Sequence, residues 1–368
     1  MSRKWRIGSL CGMALLAAGC SQLGYFVQAA QGQFSLMAQA RPIDDWLADP
    51  GAADTLKTQL SKVKKIRRFA AHELGLPDNG TFSTYAELQR PYVLWNVVAA
   101  PPLSLQASQW CFPIAGCVNY RGYYSKDDAQ AYAAELRSQN YDVQVSGVPA
   151  YSTLGWFDDP VLSTFVQYPE AELARLMFHE LAHQVAYAPG DSRFNESFAV
   201  AVEEFGVERW LGTYGNDTMR ASYRAHAARK QDFLALLLKT RLVLEVNYAS
   251  TSSDQQKFAR KAQIFQDMQD EYRTLKQGWG GYAGYDRWFA EPLNNAHLAL
   301  VGTYHDLVPG FRALLNQEKD LGKFYAAVRT LSALAQPQRH QRLAGLVSGA
   351  QASVQASMAE RAAEPARN

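Results

Sequence analysis

Residues 178–184 read Phe-His-Glu-Leu-Ala-His-Gln, with His179 and His183 four apart and Glu180 beside the first. On a helix, side chains four apart lie on one face, so both imidazoles can approach a single metal ion. Two imidazoles and a carboxylate suit zinc and leave a fourth position open. In this H-E-x-x-H arrangement the glutamate can reach a water on the ion and act as its general base. The chemistry expected is hydrolysis of a peptide bond by activated water. The third ligand must come from another element. Residues 184–195 separate His183 from Glu196, which opens the segment Asn195-Glu196-Ser197-Phe198-Ala199. That distance allows one helix to end, the chain to turn, and a second helix to return, so Glu196 is the expected third ligand. An exposed first-turn acid stabilising a helix dipole is the alternative. Glu203 and Glu204 are fallback ligands, or partners that orient an imidazole; Asp191, in the turn, is a further candidate.

Such a site needs two helices to hold it. Pro169 suits a first helical position, and Glu170 and Glu172 suit the positive first turn. That helix is predicted to run to about Tyr187, where Pro189-Gly190 stops it. The second is predicted over Glu196–Leu211, with Asn195 as N-cap. Long helices are expected at 217–246, 254–276 and 311–349. An earlier helix is expected over 52–75, where Leu56, Leu60, Val63, Ile66, Ala70 and Leu74 recur at helical spacing. Between these regions the pattern changes. Tyr92–Val98 is β-branched and aromatic and reads as a buried strand; Val118–Tyr124 and Tyr141–Ser146 read as further strands around a helix over Lys126–Gln139. The fold class expected is α+β: an α/β lobe over about 90–165, then a helical lobe over about 166–350 carrying the zinc site. Residues 350–368 read as a frayed tail.

The remaining signals bound the setting. The chain has 368 residues, 48% of them hydrophobic, which excludes wholesale disorder. Arg3, Lys4 and Arg6 precede a short apolar run, the pattern of a signal peptide over residues 1–19. Small residues before Cys20 resemble a bacterial lipobox, with Cys20 as lipidated N-terminus; an ordinary cleaved signal or short anchor is the alternative. Ser21, rather than an aspartate, suggests the outer membrane, facing the periplasm. Without the three basic groups of residues 1–19, the 37 basic side chains become 34 against 35 acidic ones, a formal charge of −1. That balance gives no footprint for nucleic acid. Cys111 and Cys117 remain as a pair, and in an oxidising compartment a disulfide is expected; two buried thiols or half a zinc site are the alternatives.

An attacked carbonyl needs a donor for its developing oxyanion. Tyr304 and His305 are candidates, with Tyr282 and Tyr285 as competitors. Tyr151–Phe157 could offer an exposed edge strand to an extended peptide, and Asn294-Asn295 could contact a substrate terminus or simply cap a turn. An aminopeptidase must also hold a free α-ammonium, for which Glu203, Glu204 or Asp158 are available.

The segments 90–101, 110–124, 147–164, 178–184, 195–206 and 303–311 together resemble a bacterial family known as putative aminopeptidases, predicted lipoproteins with an HELAHQ motif. The resemblance covers the whole mature chain. It implies a zincin fold, glutamate as third zinc ligand, a peptide substrate, and aminopeptidase rather than endopeptidase action. The aspartate found four residues after that glutamate in thermolysin-like enzymes is replaced here by Val200. From another functional class, a non-catalytic lipoprotein that retains the fold as a periplasmic binding or assembly module is the competing expectation.

Overall fold

The computed structural model describes residues 24–112, 116–301 and 305–348. The signal segment, Cys20, Tyr304 and the 350–368 tail lie outside the described residues. Helix α1 spans 24–39. Helices α2 (Ile43–Ala48) and α3 (Asp54–Leu74) follow. In α3 the apolar stripe Leu60, Val63, Ile66, Ala70 and Leu74 is buried, as helical spacing demands. Gly75 ends α3 with φ of 61°, a left-handed conformation that glycine adopts at little cost.

The strands form three small sheets. β1 (Arg41–Pro42), β2 (Thr84–Ala86) and β8 (Val161–Leu162) make one, in the order β1-β2-β8. β4 (Trp110–Phe112) and β5 (Gly116–Val118) make a hairpin in which Cys111 faces Cys117, and the two form a disulfide. The third sheet has β3 (Leu94–Ala100) between β6 (Arg121–Tyr123) and β7 (Asp142–Val148), all antiparallel. The strand predicted over 118–124 is therefore split, because the chain bends at Asn119 and Tyr120 as it passes from hairpin to sheet. Side chains alternate across this sheet. Trp95, Val97, Ala99, Tyr123 and Val143 pack against helix α4 (Lys126–Ser138). Leu94, Asn96, Gly122 and Val148 face the opposite way, into a cleft.

Beyond this sheet the chain is helical. α5 (Glu170–Ala182) and α6 (Ser192–Tyr214) lie at the centre of the main core, against α3 on one side. α7 (Asp217–Ala249) and α8 (Asp254–Gly278) form an antiparallel hairpin with its own core of Leu237, Leu244, Ile264, Phe265 and Met268. The short α9 (Asp286–Phe289) and α10 (Asn295–Ala299) close that hairpin. The helix predicted over 311–349 is three helices: α11 (Val308–Glu318), α12 (Leu321–Ser332) and α13 (336–348). The first break is at Lys319, which takes a φ of 55° and caps α11. The arrangement is mixed α+β with small sheets, as the sequence led one to expect.

Phe198 of α6 is fully buried among Phe311, Phe324 and Tyr325, with its ring 5.7 Å from that of Phe311 and 6.0 Å from that of Phe324. Replacing it with alanine removes the ring that joins α6 to α11 and α12. Phe198→Ala is expected to lower the unfolding free energy by about 3–5 kcal/mol in urea titrations; a change below about 1 kcal/mol would contradict this packing.

Candidate metal centre

His179 lies in the last turn of α5, and His183 is its C-cap residue, still with right-handed helical φ of −59°. The two imidazoles therefore keep their one-turn spacing, with ring centroids 4.9 Å apart. α5 ends at Ala182, earlier than the expected Tyr187, and turns follow to Gly190. α6 begins at Ser192, also earlier than expected, and its N-cap is Asp191, whose side chain accepts from the Phe194 N–H. Asn195, expected in that role, lies one turn inside the helix and is buried. Its side-chain amide accepts from Ala188 N–H at 2.8 Å and donates to the Ala188 carbonyl at 3.0 Å. Asp191 also receives Arg339 at 3.2 Å and His340 at 2.8 Å, both from α13. The turn is thus fastened to α6 on one side and to α13 on the other, which fixes where Glu196 points.

Glu196 Oε2 lies 3.3 Å from His179 Nε2 and 3.9 Å from His183 Nε2. One donor atom from each of the three residues falls within 4.8 Å of the others. Donors about 2.1 Å from one tetrahedral ion lie roughly 3.4 Å apart, so the set fits a small divalent cation once the donors draw together around it. Glu203 Oε2 lies 2.9 Å from His179 Nδ1. A carboxylate there accepts the Nδ1–H, so that when Nε2 carries no proton its lone pair faces the side of Glu196. Val200, four residues after Glu196, is apolar and buried, and Glu203, three residues later, makes the contact with the imidazole.

Charge is concentrated here. Burial opposes ionisation of Glu203, which is 1% exposed, but Arg175, His179 and Lys230 outweigh it and hold the carboxyl far below the usual range. Arg175 donates to Glu203 at 2.9 Å and to Glu172 at 2.8 Å. Burial works against a charged His179, yet its hydrogen bonds to Glu196 and Glu203 prevail and raise it to about 10. His183, with weaker contacts, is lowered by burial to about 4. Burial, reinforced by Glu196, raises Glu180 to about 7 against the opposing effect of His179. Without a metal ion, the proton on His179 is the positive charge that this ring of carboxylates demands. A cation bound to Nε2 would take its place.

The centre opens into a cleft of about 690 Å³ whose walls are mostly apolar, with a few polar groups, as in ligand sites generally. Val118, Tyr120, Gly122 and Tyr124 face it from alternate positions of the β5–β6 segment. Burial, then the charges of Glu196, Tyr187 and Glu180, raise the Tyr120 hydroxyl, so it stays protonated and can donate. The alternation at 118, 120, 122 and 124 was readable in the sequence, but it did not disclose which residue would meet the histidines. Of the expected oxyanion donors, His305 lies in a separate cavity with Lys230 and Glu203. Tyr285 stacks on Phe233 at 4.1 Å, and Tyr282 lies under Arg229. Residues 151–157 form no strand: Thr153 folds back on Asp159 through its N–H and hydroxyl. That segment still lines the cleft, but the sheet edge beside the centre is β6. Asn294 caps α10, and the Asn295 amide binds the carbonyls of Pro101, Pro102 and Ser104. Glu204 pairs with Arg312 away from the cleft, and neither Glu203 nor Asp158 lines it.

Glu203→Leu strands Arg175 and His179 without their shared acceptor. Chemical denaturation of the metal-free protein is expected to show a loss of about 3 kcal/mol. Glu204→Ala, which breaks a half-exposed ion pair, is expected to cost less than about 1 kcal/mol. Equal effects would mean that the buried charge chain has no special part in the fold.

No curated protein and no solved structure matches the chain. A family model does: the one described as "Putative aminopeptidase" matches residues 24–343, and by that extent the chain belongs to the putative aminopeptidase family.

Proposed function

We propose that the protein is a zinc-dependent aminopeptidase, with His179, His183 and Glu196 holding the ion and Glu180 as general base. The observation that carries this reading is the convergence of three donor atoms from two helices within 4.8 Å, at the wall of an extended cleft. Family membership supports peptidase chemistry. When bound, zinc supplies the positive charge that acidifies a water molecule and polarises a carbonyl.

The side chains do the rest. Glu203 holds His179 in the tautomer that presents Nε2. Glu180, half-buried in the cleft wall, accepts a proton from the water as its oxygen attacks the carbonyl carbon. It then returns that proton to the amine nitrogen as the C–N bond breaks. Its raised pKa of about 7 favours both acceptance and return near neutral pH. Tyr120 donates to the carbonyl oxygen as negative charge develops there, the role first expected of Tyr304. The second proton of the water, left on the new carboxyl group, passes to the same nitrogen, so the products are a carboxylate and an ammonium and both protons are accounted for.

The reading extends to location. The basic start of the chain, its apolar run and the small residues before Cys20 support a lipid-anchored protein of the bacterial envelope, at the outer membrane facing the periplasm. The Cys111–Cys117 disulfide fits an oxidising compartment.

Purified protein is expected to bind one zinc ion and to cleave peptides. Glu180→Gln should retain the metal and lose about 10²–10⁴ in kcat. Tyr120→Phe should lose about 10²–10³ in kcat with little change in KM. Stoichiometric zinc without cleavage of any peptide in a library would transfer the protein to the binding-module class.

A further inference from the structure

Helix α1 lies against the outer edge of β6, and a side-chain amide of the helix takes main-chain groups of the strand. The Gln28 amide meets β6 as a neighbouring strand would: Oε1 accepts from the Tyr124 N–H at 3.2 Å, and Nε2 donates to the Gly122 carbonyl at 3.4 Å. Arg90 occupies the Tyr124 carbonyl at 2.6 Å. Gly32 lies flush against the Tyr124 ring, so close that a Cβ would come within 2.1 Å of it. Gln33 Oε1 accepts from the Tyr124 hydroxyl at 2.8 Å and from the Tyr151 hydroxyl. Tyr25 and Phe26, at the start of α1, line the cleft.

From Gly122 onward, then, this edge is taken. The Tyr120 end, beside Glu196 and Glu180, is not taken among the described residues. Strands rise roughly 3.3 Å per residue, so the Gln28 bridge starts about 7 Å past Tyr120. A peptide added to this edge pairs best in the antiparallel sense, which is the more stable per residue and the sense used throughout this sheet. Its N-terminal side then points toward Tyr124 and α1, and its C-terminal side points away.

Resting on the peptidase reading, we propose that α1 closes the cleft upstream of the scissile bond, so that only a chain whose free N-terminus lies one or two residues from the attacked carbonyl can seat. Two observations favour selection by shape over selection by charge. Among the described residues, the only carboxylates lining the cleft are Glu180 and Glu196, both committed to the centre. And Asn96 Oδ1, buried, without a hydrogen-bond partner among the described residues, and adjacent to Gly122, offers a neutral acceptor for an ammonium N–H at the closed end. Covering a sheet edge is also a common protection against aggregation, but protection alone would not make the cleft discriminate between peptide termini.

The test compares the full chain with its Gln28→Ala/Gly32→Phe variant, each also carrying Glu180→Gln for binding measurements. The probes are one decapeptide sequence with a free and with an acetylated N-terminus. Fluorescence anisotropy on the Glu180→Gln proteins should show about a tenfold preference for the free terminus, reduced to within about threefold when α1 is displaced. Mass spectrometry on the active proteins should show loss of single N-terminal residues, with internal cuts appearing in the variant. If the Gly32→Phe protein does not fold, Gln28→Ala, which removes the bridge without adding bulk, must weaken the preference by itself. Equal binding of both peptides, internal cuts by the unaltered chain, trimming from the C-terminus, or a preference untouched by the variants would overturn the proposal. Preference without turnover would remove the peptidase reading and leave the role of α1 standing.

Discussion

One imidazole is held at both of its nitrogens by carboxylates from a single helix. Glu196 and Glu203 are seven residues apart on α6, two turns, and so share a face. Glu196 meets His179 at Nε2 and Glu203 meets it at Nδ1. This is possible only if α6 runs alongside α5 at a fixed height, and much of the surrounding structure serves that requirement. Asp191 anchors the start of α6 to Arg339 and His340, and the Asn195 amide ties the preceding turn to the helix. Phe194 and Phe198 hold the opposite side of α6 against Phe311 and Phe324. With apolar packing on one side and carboxylates on the other, α6 is buried around most of its circumference.

Placing an ionised Glu203 in the interior carries a desolvation cost that its partners offset through Arg175, His179 and Lys230. Such buried pairs add little net stability compared with apolar residues of similar volume. Their return here is orientational: a fixed tautomer, a fixed ring plane, and a lone pair aimed at one point. The two histidines differ in this respect. His179 is braced by the protein, whereas His183 Nδ1 is buried with no partner among the described residues. The geometry of the centre is therefore set mainly by His179 and Glu196.

What could be read from the sequence follows the range of each interaction. His179, Glu180 and His183 act within one helical turn, and Glu196 lies just across one turn of chain, so spacing locates them. The Pro189-Gly190 break and the buried stripe of α3 are likewise local signals. The N-cap of α6 was misplaced because Asp191 and Asn195 are both good capping residues, and only the tertiary partners of Asp191 separate them. The three helices α11, α12 and α13 look like one because apolar periodicity continues across Lys319, a break with no glycine to mark it. Tyr120 and Gln28 escaped notice for a stronger reason. Tyr120 meets the centre, and Gln28 meets β6, across long stretches of intervening chain, and neither residue type announces its partner.

The two edges of the central sheet are treated alike. At β7, Asn294 Nδ2 donates to the Val143 carbonyl at 3.2 Å, and the Asn295 N–H donates to the Asp142 side-chain carboxylate at 2.8 Å. At β6, the Gln28 amide takes the Gly122 and Tyr124 groups. On each edge a side-chain amide takes main-chain groups of the strand, Asn294 one carbonyl at β7 and Gln28 a carbonyl and an N–H at β6, a contact that satisfies the backbone without extending the sheet. Among the described residues, the Tyr120 stretch is left without such a cover, because the bend at Asn119 and Tyr120 carries it out of the sheet and toward the histidines. Among the described residues, this uncovered stretch of main chain thus lines the same cleft as His179, His183 and Glu196. An edge sealed everywhere would hide the centre from an extended peptide, and an open edge would invite other chains. The interruption between β5 and β6 reconciles the two demands, and it does so through a kink in the backbone rather than through a loop inserted for the purpose.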